Sequence, residues 1–306
     1  MIARHAGRRV ARSFARGEIF GTADAAAGDR GGMSRNRGRK GHKRSGRGAG
    51  RRASRPGLCG CPRCRRGEFD PWQLLDGVLA GAAELPADEG AFEGELLAAA
   101  VAEFGGLGGP AFARAFTAWC VLLLETRPTP AALGLLCGLS RLAPGELADA
   151  ATAAVDRLIL AGIQLPPWAS RFTEPVRPRE FVRVNAADGV GAALVGSFER
   201  SGCPHGFLVE VDTFGDGSVE QIVPFPGDGF DSAVSVASGQ FTGCVEPLPG
   251  TEFRRQVEAA LAVRAQQDTA DLHAGILPFD EAVEGIPPFS VSACVLRAHL
   301  SCIAPE

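Results

Sequence analysis

Three cysteines within six residues predict a metal site. Cys59, Cys61 and Cys64 lie in a turn that also contains glycine and proline. Thiolates bind zinc tightly, and such a turn lets several sulfur atoms face one ion, but a closed structural site needs a fourth ligand. The candidates for that ligand are His42, Cys203, His205, Cys294, His299 and Cys302. Free thiols stay an open alternative, because a second Cys-x2-Cys pair is absent from the chain.

The same cysteines end a strongly basic segment. Residues 33–66 hold thirteen Arg and Lys side chains and neither Asp nor Glu. Gly and Ser space the charges, and there is no aromatic side chain on which a base could stack. The segment therefore predicts contacts to phosphates, which tolerate any sequence and weaken with salt. The predicted contact residues are Arg35, Arg37, Arg39, Lys40, Lys43, Arg44, Arg47, Arg51, Arg52 and Arg55.

Charge divides the chain into two opposed parts. Residues 1–66 carry 19 basic and 3 acidic side chains, a net of +16, whereas residues 67–306 carry 13 and 32, a net of -19. Such asymmetry predicts either a tail that binds the backbone of RNA or DNA, or an acidic body that binds a protein partner or its own tail. A membrane surface is not predicted as a partner, because the basic segment has no amphipathic apolar face.

The composition predicts a disordered tail and a folded body. Residues 1–66 are too polar and too charged to fold, and Met33, the only internal methionine, is an alternative start of the protein. Residues 67–164 are predicted to be helical, and residues 165–306 to form an α+β region packed on them as one body. No apolar stretch approaches the length of a membrane span, and nine scattered Cys indicate reduced thiols, so the cytoplasm is the predicted compartment.

Periodicity predicts an α+β fold with the helices first. About five amphipathic segments predict a helical bundle, and four alternating segments after them predict an antiparallel meander followed by C-terminal helices. The bundle segments are 71–84, 90–104, 111–125, 130–141 and 145–160. The strand segments are 181–185, 192–198, 207–211 and 219–225, and the closing helices are 252–267 and 291–303.

This order of features resembles a group of uncharacterised actinobacterial proteins. The shared features are an Arg-rich start, a compact Cys cluster, a helical half, the junction Leu165-Pro-Pro-Trp168 and a strand pair enclosing Leu208-Val-Glu-Val-Asp212. The resemblance implies the same architecture, and it implies no activity.

One further constellation carries catalytic residue types. Cys203 and His205 share a predicted turn, with Glu210 and Asp212 on the following strand, so a Cys/His-dependent enzyme is a third hypothesis. Alternation places Glu210 on the face of Leu208, opposite Phe207, which predicts a solvent-facing acidic strand edge instead. No catalytic residue is therefore assigned. The leading prediction is a non-enzymatic protein whose basic segment, residues 33–66, is an arm that binds nucleic-acid phosphates, with zinc bound by the cysteines at the end of this arm.

Overall fold

The computed structural model describes residues 71–88, 90–106, 109–187, 189–213, 215–274 and 286–305. The first five α-helices of this part of the chain are α1 (Pro71–Glu84), α2 (Ala91–Gly106), α3 (Gly109–Thr126), α4 (Pro130–Leu142) and α5 (Gly145–Leu160). Local chemistry sets the start of α4, where the Thr129 side chain accepts a hydrogen bond from the Ala132 amide at 3.2 Å and Pro130 occupies the first turn. No helix in the described ranges has both the length and the apolar character to cross a bilayer.

The sheet has five antiparallel strands in the spatial order β4-β3-β2-β1-β5. They are β1 (Arg177–Asn185), β2 (Gly191–Arg200), β3 (Cys203–Asp212), β4 (Val219–Pro226) and β5 (Val245–Pro247). Strands β2 and β3 meet at a two-residue turn, with Arg200 paired to Cys203. Ser201 and Gly202 both have positive φ, 53° and 78°, which the tight right-twisted hairpin requires. This turn brings Arg200 and Cys203 to one end of the sheet.

Four more helices complete the described residues: α6 (Pro167–Ser170), α7 (Phe230–Phe241), α8 (Gly250–His273) and α9 (Phe289–Leu300). The predicted α+β class with an antiparallel sheet is confirmed. The helix count is not, because the nine helices of the described part include α6 and α7, which the periodicity did not predict. Helix α7 is rich in Val, Ser and Gly, residues with weak helix propensity, and it forms because Ala233 and Ala237 pack on the sheet. The short strand β5 was also missed.

Helices cover both faces of the sheet, and α2 joins two hydrophobic cores. One sheet face packs against α7. The other packs against α8, α9 and one side of α2, to which α2 contributes Phe92 and Ala99. The opposite side of α2 contributes Val101 and Ala102 to the core of the helical half. Helix α2 is thus buried nearly all round, as its run of small and apolar residues dictates.

Glycines allow α2 and α4 to approach closely. A Cβ atom at Gly94 or at Gly134 would lie 2.5 Å from ring atoms of Trp168, and one at Gly138 would lie 2.5 Å from the Cβ of Ala98. Larger side chains at these positions would force the two helices apart or displace the indole ring. The close packing fixes α2 against the helical half. It therefore also fixes the position of Glu95, which follows Gly94 in this helix.

Candidate functional site

A buried ion pair links α2 to the sheet. Glu95 and Arg200 are each only 3% exposed, and Nη2 of Arg200 donates to Oε1 of Glu95 at 2.6 Å. A carboxylate on a buried face of a helix must be paired, because an isolated buried charge costs several kcal/mol. The second carboxylate oxygen, Oε2, and the Nε–H of Arg200 are buried without a hydrogen-bond partner. The pair therefore keeps unused hydrogen-bonding capacity on both sides.

Two histidines lie beside this pair and contact each other. Nε2 of His205 on β3 is 2.8 Å from Nε2 of His299 on α9. Nδ1 of His299 is 2.9 Å from the Val295 carbonyl, and Nδ1 of His205 is 3.2 Å from the Cys203 carbonyl. Oε2 of Glu95 lies 3.6 Å from Nε2 of His299. The four side chains thus form one buried polar cluster to which four elements of the fold contribute.

The two neutral histidines carry fewer N–H groups than their contacts can use. Two neutral imidazoles carry two N–H groups, whereas three contacts between acceptor-type atoms compete for them. The shorter carbonyl contact assigns an Nδ1–H to His299, which leaves a lone pair on its Nε2. The one N–H of His205 can serve either its Nε2 contact with His299 or its Nδ1 contact with the Cys203 carbonyl, so one of the three contacts lacks a proton.

Burial keeps both imidazoles neutral. It lowers the pKa of His205 to about 3, and the neighbouring His299 acts in the same direction, while the Glu95 carboxylate opposes it. Burial, followed by the Arg200 guanidinium, also lowers the pKa of His299 to about 3. Phe92 stacks on His205 with ring centroids 4.6 Å apart, and Phe198 and Phe207 meet His299 edge to face. These rings exclude water from the pair on the side of the core.

A small pocket reaches this cluster of buried side chains from the surface. Its volume is about 100 Å³, and its walls include Ala91, Phe92, Arg200, Cys203, His205 and Pro226. Ala91 and Phe92 form the first turn of α2, whose amide groups have no helical carbonyl to bind. The pocket thus combines a helix N-terminus with one guanidinium and one imidazole.

The residues of the catalytic hypothesis, Cys203, His205 and Glu210, make contacts with other groups in the structure. Sγ of Cys203 donates to the Asp88 carbonyl at 2.9 Å and is 3.1 Å from Nη1 of Arg171, while the His205 ring is bonded to His299. Glu210 packs on the sheet face opposite to that of His205, with α7 over it. The structure therefore does not bring the predicted nucleophile, base and carboxylate to one point.

The predicted metal and phosphate ligands lie outside the described residues. This holds for Cys59, Cys61, Cys64, for the candidate fourth ligand His42 and for the whole basic segment, so zinc stays a prediction. Of the other candidates, His205 and His299 bind each other in the interior, and Sγ of Cys294 is 3.8 Å from the Leu142 carbonyl. Within the ranges that the structure covers, no cluster of three His, Cys, Asp or Glu side chains is arranged to hold a metal ion.

Glu210 corrects one expectation from the sequence. The alternation of β3 places it on the face of Leu208, as expected, but that face is covered and Glu210 is only 2% exposed. Burial, followed by the charge of Glu220, raises the pKa of Glu210 to about 8, and the Gln240 side chain opposes this shift. The residue is therefore a protonated acid at neutral pH.

Glu210→Gln is expected to remove a pH dependence of stability. The native state holds the Glu210 proton up to about pH 8, whereas the unfolded chain releases it near its ordinary pKa. The native state therefore binds more protons between these values, and stability falls as pH rises through this window, by up to about 1.4 kcal/mol per unit. Urea unfolding at pH 5, 7 and 9 measures it. Equal pH slopes in the parent and in Glu210→Gln would contradict the assignment.

Comparison with known proteins supplies no further guide. No protein-family model, no curated protein and no solved structure matches this chain. The geometry of the described residues and the charge pattern of the sequence are therefore the observations on which a function can be argued.

Proposed function

We propose that this protein binds nucleic-acid backbones through the basic segment of residues 33–66, without reading their sequence. The observation that carries the proposal is the segregation of charge, +16 in residues 1–66 against -19 in residues 67–306. Thirteen cations in 34 residues without one carboxylate attract a polyanion, and binding releases its condensed counterions. The absence of aromatic residues from the segment leaves phosphate oxygens as its contact atoms.

In this proposal the acidic body, residues 67–306, restricts binding to the basic segment. Its net charge repels the same polyanion, so contacts are confined to the arm. Zinc bound by Cys59, Cys61 and Cys64 would give the arm a compact base, with a fourth ligand from His42 or from another thiol or imidazole. Metal content of the purified protein, measured for the parent and for a variant with these three cysteines changed to serine, tests that part separately.

Neutralising the arm in the intact chain tests the proposal. The variant changes the ten Arg and Lys side chains of residues 35–55 to Gln and is compared with the parent by fluorescence anisotropy. Unrelated single-stranded RNA and double-stranded DNA sequences serve as ligands. The parent is expected to bind them with similar affinity, and the variant is expected to lose at least about a hundredfold in affinity.

A control variant changes three basic residues of the body. Arg141, Arg157 and Arg179 are exposed in the described part of the chain, and changing them to Gln removes positive charge without touching the arm. Their removal is expected to alter the affinity little. Equal affinity of the parent and of the arm variant, or equal losses in both variants, would overturn the proposal.

A second candidate is an interaction module whose acidic body binds a protein or its own arm. Helix α5 favours it, because this helix exposes Glu146, Asp149 and Asp156 while Leu147 and Leu158 are buried. If the arm folds onto this surface, the three changes Glu146→Gln, Asp149→Asn and Asp156→Asn release the arm and tighten RNA binding. Unchanged RNA affinity in this variant would remove the arm as the occupant of α5.

A further inference from the structure

The carboxyl group of Glu210 is buried between the sheet and helix α7. Its Oε1 atom has no hydrogen-bond partner, and the residue is only 2% exposed. Glu210 pairs with Ala193 of β2 and with Gln221 of β4, so it lies inside the sheet and not at its edge. Helix α7 covers it, and Gln240 in the last turn of this helix faces it. A change in the charge of Glu210 therefore acts on the contact between the sheet and α7.

The groups around Glu210 disfavour its ionised form. Glu220 lies beside it, at an irregularity where β4 has one residue more than β3. Alternation along β3 places Asp212 on the same face, and the charged residue of α7 is Asp231 in its first turn. The residues that β1 and β2 contribute to this core are apolar, and Arg183 of β1 binds α8 on the other face. Within the described residues, these elements therefore bring no cation to Glu210.

The surroundings keep a proton on Glu210. Burial, followed by the charge of Glu220, raises the pKa of Glu210 from its ordinary value of 4.5 to about 8. If α7 lifts off the sheet, the carboxyl group meets water and regains its ordinary pKa. Between these two values the closed state holds the proton and the open state has released it. Rising pH therefore favours opening, by up to about tenfold per pH unit.

Helix α7 is weakly held at the end that covers Glu210. Of its 12 residues, Ala233 and Ala237 are the buried ones. Thr242, which ends the helix, has a φ of 52°, a strained conformation for a β-branched residue. The last turn is tied to the sheet side by the Phe241 carbonyl, which accepts a hydrogen bond from the Ala187 amide at 3.0 Å. An element with so few buried contacts opens at a lower cost than the whole protein.

We propose that the last turn of α7, residues 238–241, is a pH-dependent flap over Glu210. The flap is closed while the carboxyl group is protonated, and it opens when the proton is released. Opening uncovers part of the apolar sheet face to which Val184 and Ala193 contribute. This device is independent of the basic segment and of nucleic-acid binding.

Hydrogen–deuterium exchange of the full-length chain at pH 5.5 and 7.5 tests the proposal. Mass spectrometry follows peptides that cover residues 238–242, and each rate is divided by the intrinsic amide rate at that pH. The matched variant is Glu210→Gln, which is isosteric and neutral at both pH values. Between the two values, the corrected rate is expected to rise at least about tenfold more in the parent than in the variant. Equal rises in the two proteins would overturn the proposal.

The same data distinguish a flap from unfolding of the whole protein. At pH 7.5 the amides of the flap are expected to exchange at least about tenfold faster, after correction, than those of the central strand β3. Equal corrected rates in the flap and in β3 would show that α7 leaves the sheet only on global unfolding, and this result would also overturn the proposal.

Two further variants test the origin of the pH effect. Asp231→Asn removes an exposed carboxylate from the first turn of the same helix and is expected to keep the rise seen in the parent. Glu220→Gln removes the charge beside Glu210 and is expected to reduce the rise to a value between those of the parent and Glu210→Gln. Loss of the rise in Asp231→Asn, or an undiminished rise in Glu220→Gln, would contradict control by the Glu210 carboxyl group.

Discussion

Replacing Arg200 by Met is expected to lower the free energy of unfolding by about 3–5 kcal/mol, because it leaves the Glu95 carboxylate buried without its partner. The side chain of Glu95 is 4% exposed and that of Arg200 is 3% exposed, so water cannot take the place of the guanidinium. The same loss is expected from Glu95→Leu, which leaves the guanidinium of Arg200 buried without its partner. Urea unfolding at pH 7 measures both values.

The double variant distinguishes a paired charge from simple packing. Arg200→Met combined with Glu95→Leu removes both charges, and its stability is expected to recover most of the loss of either single variant. Arg157→Met is the surface control, since its partner Glu125 forms a similar pair with an exposed arginine, and little change is expected there. Additive losses in the double variant would show that the two residues act independently.

Acid is expected to destabilise the protein through the His205 and His299 pair. In the native state both have a pKa of about 3, whereas in the unfolded chain both ionise near 6.5. The unfolded state therefore binds more protons between these values. The contribution of the pair is fully present above about pH 6.5 and is lost as pH falls, by up to about 1.4 kcal/mol per pH unit for each histidine.

The pH slope of a double variant checks this expectation. His205→Gln with His299→Gln keeps hydrogen-bonding groups at both positions but removes the titration. Its stability is expected to be lower than that of the parent at pH 7 and to fall less steeply between pH 6.5 and 4.5. Groups facing the pair from α2 and β2, Glu95 and Arg200, are unchanged in the variant, so they do not alter the comparison. Parallel pH slopes would contradict neutral, buried imidazoles.

The buried cluster could not be predicted from the sequence because its members are far apart along the chain. Glu95 and Arg200 are separated by 105 residues, and His205 and His299 by 94. One signal was present: Glu95 stands in a segment made almost wholly of small and apolar residues, where a carboxylate needs a partner. The identity of that partner depended on how α2 packs on the sheet.

The strands were predictable and the covering of the sheet was not. Alternation in 207–211 places Phe207 and Val209 on one face and Leu208 on the other, and the structure has them so. The same alternation placed Glu210 correctly, but its burial depends on α7, whose Val, Ser and Gly residues do not indicate a helix. Local alternation and propensity were therefore enough to predict the strands and the side chains that share a face. Tertiary contacts decide which face is buried.

The salt dependence of RNA binding tests the proposed function most directly. If the ten predicted Arg and Lys side chains contact phosphates, the logarithm of the affinity falls with the logarithm of salt concentration with a slope of about -7 for single-stranded RNA. The slope should approach zero in the variant with these ten residues changed to Gln. A shallow slope in the parent, or the same slope in both proteins, would contradict binding through the basic segment.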